Sequence, residues 1–205
     1  IIGDIGNTFC KICLINEEKN KIIKIFNIET KKIKNKNDLK IFFNNKYFFN
    51  KKHILKTALF ASVVPSTFLL FKKFLKKELK IKSYDIKDRN IKKIIKIKIK
   101  NPSQVGSDRI ANASGVAKVY KSNCIIIDFG TATTFDVVTK NGEYKGGIIA
   151  PGIELSMKNL HKATAQLPHL KVKKIKKIIG KNTLEAMHSG FFWGYLGLII
   201  NIIKG

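Results

Sequence analysis

The chain has 205 residues, 44% of them hydrophobic, with fourteen phenylalanines and a formal net charge of +26. That apolar fraction excludes intrinsic disorder, and a chain of this size buries roughly 70% of its unfolded surface without a disulfide or metal staple. The charge excludes less than its size suggests. Of the forty basic residues only Arg89 and Arg109 are arginine, whereas base readers and bidentate phosphate clamps favour arginine. Lysine travels here with isoleucine, asparagine and phenylalanine, the mix an AT-rich genome imposes, so nucleic acid is not the expected partner. Three cysteines, Cys10, Cys13 and Cys124, are too few for a disulfide framework and indicate a reducing, cytoplasmic compartment. No apolar run reaches the roughly 18 residues of a membrane span. The nearest, residues 191–203, is interrupted by Gly194, Gly197 and Asn201, and no secretory signal is present, so no membrane partner is expected. The opening Ile1-Ile2-Gly3 lacks a methionine, so the true start is expected upstream.

In chain order, residues 1–15 read as strand, turn and strand, the turn carrying Asp4-Ile5-Gly6-Asn7-Thr8. Cys10 and Cys13 form a C-x-x-C, but residues three apart in a strand point to opposite faces, which argues against a metal or redox pair. Residues 19–52 are rich in lysine and asparagine, with short apolar pieces such as 22–28. A buried strand is expected at 58–64, stopped by Pro65, and a helix at 66–79 from the spacing of Phe68, Phe71, Phe74, Leu75 and Leu79. Residues 94–100 alternate isoleucine and lysine and predict a half-buried strand with Ile95, Ile97 and Ile99 on one face. Gly106-Ser107-Asp108-Arg109 opens a helix running to about Tyr120. Strands are predicted at 124–127 and 133–139 around a turn at 128–132. A glycine-rich stretch, 142–152, then leads to a helix near 155–163. Asn182-Thr183-Leu184-Glu185 has capping-box form and starts the last helix. Its aromatic stripe, from Phe191 to Tyr195, reads as core or dimer contact. His53, His161, His169 and His188 show no ligand spacing and read as surface or packing residues.

One plan occurs twice. Ile1-Ile2-Gly3-Asp4-Ile5-Gly6-Asn7 and Ile125-Ile126-Ile127-Asp128-Phe129-Gly130-Thr131 are each a buried apolar strand, then Asp, an apolar residue, Gly and a small polar residue. A single D-x-G marks an ordinary turn, but two after similar strands indicate a duplicated domain. Such a turn presents backbone N–H groups to an anion. Its aspartate can hold a hydrated cation on phosphate oxygens. Asn7, Thr8, Thr131 and Thr133 can donate to the same oxygens.

At this point the sequence resembles the acetate kinase, sugar kinase, Hsp70 and actin superfamily. The order of Asp4-Ile5-Gly6-Asn7-Thr8, Ser62-Val63-Val64-Pro65, Gly106-Ser107-Asp108-Arg109 and Asp128-Phe129-Gly130-Thr131 narrows it. These continue into Gly146-Gly147-Ile148-Ile149-Ala150-Pro151-Gly152, Leu167-Pro168, Asn182-Thr183 and Ser189-Gly190. This is similar to type III pantothenate kinase over nearly the whole chain. The resemblance implies an α/β fold of two RNase H-like domains, 1–121 and 122–205, with mixed sheets flanked by helices and the active site in the cleft between them. It implies ATP-dependent phosphorylation of pantothenate to 4′-phosphopantothenate, the first step of coenzyme A biosynthesis.

By the same resemblance Asp4, Ile5, Gly6, Asn7, Thr8, Phe9, Cys10, Lys11 and Thr131 would line ATP, with Asp4 near Mg²⁺. Asp128 would hold a monovalent cation, K⁺ or NH₄⁺. Gly106, Ser107, Asp108 and Arg109 would bind pantothenate, with Asp108 as proton acceptor. Thr183 would reach pantothenate across a homodimer interface. Asp108 falls in the first turn of a helix, whose dipole favours negative charge. Phosphoryl transfer through a loose transition state asks little of its base beyond orientation. Arg109 would offer a planar donor to pantothenate's carboxylate or amides. Two departures stand out. Ile99 occupies the place of the family's tyrosine, seven positions before Gly106. Family members also continue past the position of Gly205, so a fragment or a drifting gene is expected. The alternatives are another small-molecule kinase of the superfamily and a non-catalytic regulator like the related Bvg accessory factor.

Overall fold

The computed structural model describes residues 1–19, 21–43, 55–88 and 93–205. His53, Arg89 and residues 44–52 of the lysine-rich stretch lie outside them. The chain divides into two compact units, one of residues 1–122 with 138–145, the other of residues 123–137 with 146–205.

The first unit is built on a five-stranded mixed sheet of β1 (Ile2–Ile5), β2 (Phe9–Asn16), β3 (Lys21–Glu29), β4 (Thr57–Ser62) and β5 (Lys82–Asp85), in the order β3-β2-β1-β4-β5. β2 runs antiparallel to both β1 and β3, whereas β4 runs parallel to β1 and β5. The helices are α1 (Lys36–Phe43), α2 (Pro65–Glu78) and α3 (Ser107–Val119). Pro65 stands in the first turn of α2, where its fixed φ suits the helix and its missing N–H costs nothing. Alternate residues of β2 (Cys10, Ile12 and Leu14) are buried, as a strand with one face on a core requires. They join Ile5, Leu39, Phe43, Phe60, Phe71, Phe74 and Leu75 in one cluster. Phe60 of β4 lies 5.6 Å from both Phe68 and Phe71 of α2, and Phe43 of α1 stacks on Phe74 at 5.2 Å. The expected strand at 94–100 shrinks to β6 (Lys96–Ile97), which pairs in parallel with Glu143–Tyr144 of the same unit. Of Ile95, Ile97 and Ile99 only Ile95, just ahead of β6, is buried; Ile97, within the paired segment, and Ile99 are half-buried.

The second unit takes β7 (Cys124–Phe129), β8 (Ala132–Val138) and β9 (Glu143–Pro151), adjacent in the order β9-β8-β7, with the tip of the β8–β9 hairpin belonging to the first unit. It adds helices α4 (Ile153–Ala163) and α5 (Thr183–Lys204), which meet around Met157, Leu170 and Met187. β9 occupies the glycine-rich stretch of 142–152, for which the sequence predicts no element. β7 corrects the expectation of a buried strand. It is the last strand of its sheet, with Ile125 42% and Phe129 61% exposed.

Asn182 caps α5 by accepting from the Glu185 N–H at 2.9 Å, and Glu185 accepts from the Lys181 N–H. The helix corrects a further expectation. Its first two turns carry Thr, Ser, His and Gly, which interrupt the apolar run yet add almost no charge. At 22 residues α5 is long and apolar enough to cross a membrane, and only 6% of its most apolar stretch is buried.

Phe60 joins β4 to α2, so Phe60→Ala is expected to cost about 3–5 kcal/mol of unfolding free energy by urea titration. A loss below about 1 kcal/mol would mean that this ring does not organise the core.

Candidate active site

β1 and β4 are parallel with Ile5 opposite Ser62, and the Val63 N–H donates to the Ile5 carbonyl at 3.0 Å. The chain therefore leaves both strands at the same sheet edge. After β1 comes a three-residue turn, Gly6-Asn7-Thr8, closed by the Gly6 N–H on the Phe9 carbonyl at 3.0 Å. Asp4 lies within β1, directly across from Lys11 of β2, so opposite charges share one exposed face. Asn7, Thr8 and Phe9 are exposed, while the side chains of Ile5 and Cys10 are buried and leave only backbone to a ligand. Burial raises the Cys10 and Cys13 thiols above the ordinary cysteine range. The two face opposite sides of β2, as their spacing implies.

The second predicted loop of this unit arrives at the same edge. Gly106 is the N-cap of α3, and a Cβ there would collide with the Asp108 carboxylate and touch Val63, the residue after β4. Only glycine lets the carboxylate fold back over the cap in this way. Asp108 Oδ1 accepts from the Arg109 N–H at 2.8 Å. Among the described residues nothing donates to Oδ2. Ser107 is buried and donates to Asp85 Oδ1 at 2.9 Å, and the same oxygen accepts from the Lys87 N–H. Asp85, the last residue of β5, thus ties the start of α3 to the sheet. No sequence motif marked it, because its partner lies 22 residues away. The structure therefore gathers Asp4–Lys11 and Gly106–Arg109 at the carboxyl ends of parallel strands, where open α/β sheets bind ligands.

In the second unit the repeated turn is shorter. Only Gly130 and Thr131 separate β7 from β8, and the Gly130 N–H donates to the Ala132 carbonyl at 3.0 Å. Asp128 and Thr131 are exposed, but Thr133 is fully buried. The Gly152 N–H donates to the Thr131 carbonyl at 3.0 Å, and a Cβ on Gly152 would overlap the carbonyls of Gly130 and Thr131. Gly152 is a loop-supporting residue that the sequence pattern quoted without a role. Thr183 begins α5 and lines an apolar groove of about 670 Å³ with Leu160, Met187, Phe191 and Leu198. His161 Nδ1–H donates to the Leu167 carbonyl at 2.6 Å, and the ring packs edge-on to His169, in keeping with a packing role.

The model of the type III pantothenate kinase family matches residues 1–205. The chain belongs to the type III pantothenate kinase family. A relative of that name from Pelagibacter ubique (strain HTCC1062) is 49% identical over 208 residues, covering 100% of this chain and 79% of its own. Another, from Citrifermentans bemidjiense, is 36% identical and covers 100% of this chain and 80% of its own. A third, from Paramagnetospirillum magneticum, is 43% identical over 73% of this chain and 58% of its own. The crystal structure of a conserved Baf family protein from Campylobacter jejuni shares the fold, with a TM-score of 0.59 at 20% identity over 98% of this chain and 78% of its own.

Gly152→Ala, which forces a methyl group into two loop carbonyls, is expected to destabilise the chain by about 1–3 kcal/mol. Urea unfolding measures it, and an unchanged midpoint would show that the loop does not rest on this residue.

Proposed function

We propose that this chain transfers the γ-phosphoryl group of ATP to the primary hydroxyl of pantothenate, giving 4′-phosphopantothenate on the way to coenzyme A. Membership of the type III pantothenate kinase family supports the reaction. The observation in the molecule that carries it is the meeting of the 6–8 turn and the 106–109 turn at one sheet edge. On this reading residues 1–121 and 122–205 are two RNase H-like domains of the acetate kinase, sugar kinase, Hsp70 and actin type, each contributing one phosphate loop.

Asp4 through Lys11 would line the phosphates of ATP, chiefly through backbone N–H groups, and Thr131 would add a contact from the second loop. Gly106, Ser107 and Arg109 would seat pantothenate, with Thr183 contributing from a second subunit. The pantothenate oxygen bonds to the γ-phosphorus as the bond from that phosphorus to the β–γ bridging oxygen breaks, and ADP departs with the electron pair. The hydroxyl proton passes to Asp108. Its Oδ1 is taken up by the Arg109 N–H, which orients Oδ2 as the acceptor. A carboxylate suffices, since a loose transition state draws the proton away late.

The donor set around Asp4, one exposed carboxylate at a strand end, suits Mg²⁺, which takes one or two carboxylates along with substrate phosphates. When bound, Mg²⁺ neutralises charge on the phosphate oxygens. Asp128, an exposed carboxylate beside a turn of backbone carbonyls, offers the oxygen ligands a K⁺ or NH₄⁺ ion accepts. The homodimer is supported by α5, whose apolar side chains are mostly only half-buried within one chain and which lines an apolar groove. Three free thiols support a reducing, cytoplasmic setting.

The test is ADP release from ATP and Mg²⁺, with and without pantothenate and K⁺. Turnover should require pantothenate and rise with K⁺, and Asp108→Asn should lower kcat by about a hundredfold or more. Turnover with other hydroxylated acids or sugars but not pantothenate, or full kcat in Asp108→Asn, would contradict the proposal.

A further inference from the structure

Thr30 follows β3, where the chain enters a 3-10 turn (Thr30–Lys32), in a stretch that shows no motif. It is 7% exposed, and its two polar groups both reach back to the 6–8 turn. Its hydroxyl donates to the Gly6 carbonyl at 2.7 Å, and its N–H donates to the Thr8 carbonyl at 2.9 Å. The same hydroxyl lies 3.4 Å from Cys10 Sγ, on the strand that leaves the turn. Thr30 thus grips the first and last residues of a three-residue loop with two different bonds. A valine would fill nearly the same space, so packing alone does not call for the hydroxyl.

The grip has a directional consequence. A trans peptide holds its C=O and N–H on opposite sides, and the chain contains no cis bond among the described residues. Fixing the Gly6 carbonyl towards Thr30 turns the N–H of exposed Asn7 away from Thr30 and out of the loop. In the shorter loop of the second unit, the Gly152 backbone N–H donates to the Thr131 carbonyl.

We propose that Thr30 is a positioning residue for ATP: its hydroxyl and amide clamp the 6–8 turn so that the Asn7 N–H stands ready for a phosphate oxygen. This rests on the reading of Asp4–Lys11 as an ATP-binding segment. Thr30 touches no substrate itself and acts through the loop.

The experiment titrates a fluorescent ATP analogue into the full chain and into Thr30→Val, Thr30→Ser and Asp4→Asn, with KM for ATP and for pantothenate alongside. Loss of one aligned bond should weaken ATP binding about five- to tenfold in Thr30→Val and leave the KM for pantothenate within about twofold. Thr30→Ser, which keeps the hydroxyl, should restore most of the loss. ATP binding unchanged in Thr30→Val but weakened in Asp4→Asn would overturn the role of Thr30 alone. If neither substitution weakens it, the reading of the loop fails and the proposal with it. Equal losses for ATP and pantothenate would reduce Thr30 to a general structural residue. Amide hydrogen exchange on the unmodified chain tests the same point should Thr30→Val not fold. The Thr30 amide should be protected without nucleotide and the Asn7 amide should become protected with the ATP analogue. A fast-exchanging Thr30 amide in the free chain would overturn the clamp.

Discussion

The parallel pairing of β1 with β4 is the constraint on which the proposed site in the first unit depends. Two parallel strands deliver their following loops to one edge, and here one loop is the Gly6-Asn7-Thr8 turn while the other leads through Val63 to the neighbourhood of Gly106. β5, also parallel to β4, brings Asp85 to the same edge and anchors Ser107 there. Three segments distant in sequence meet because the sheet register leaves them no other place. What fixes that register is the aromatic packing beneath it, with Phe60 of β4 against Phe68 and Phe71 of α2.

A net charge of +26 works against a compact state, and the fold answers it by keeping lysine at the surface. No lysine is buried among the described residues. The few acids are drawn into this field. Glu29 is held below the usual carboxylate range by hydrogen bonds from Lys32 and Lys31, Glu78 by Lys36 and Glu143 by Lys145. These four ion pairs lie at the surface, their carboxylates half-exposed, and pairs of that kind add little to stability. Their spread from the β3 edge beside the 6–8 turn to the end of α2 and to β9 fits a composition imposed on the whole surface.

The sequence was legible where local chemistry and tertiary role agreed. α2 could be read from phenylalanine spacing, α3 from Gly106 and its acidic first turn, α5 from Asn182 and Glu185, and both loops from their repeated Asp-x-Gly. β3 was not legible, because it is a sheet-edge strand whose residues are mostly exposed, so its isoleucines follow no alternation. β9 hides behind Gly146 and Gly147, since glycine inside a strand weakens the strand signal. β5 is four residues long and offers no period to count. Asp85, Gly152 and Thr30 escaped for a different reason. Each acts on a residue about twenty positions away, and such a contact leaves no trace in local spacing.

The central claim is that specific turns, and not the lysine-rich surface, receive the two substrates. The most direct measurement is an amide ¹H–¹⁵N spectrum of the labelled chain titrated with a non-hydrolysable ATP analogue and then with pantothenate. The account predicts that the nucleotide moves the amides of Asn7, Thr8 and Thr131, and that pantothenate moves those of Ser107, Asp108 and Arg109. Shifts for both ligands confined to the basic stretch from Lys171 to Lys181 would contradict it.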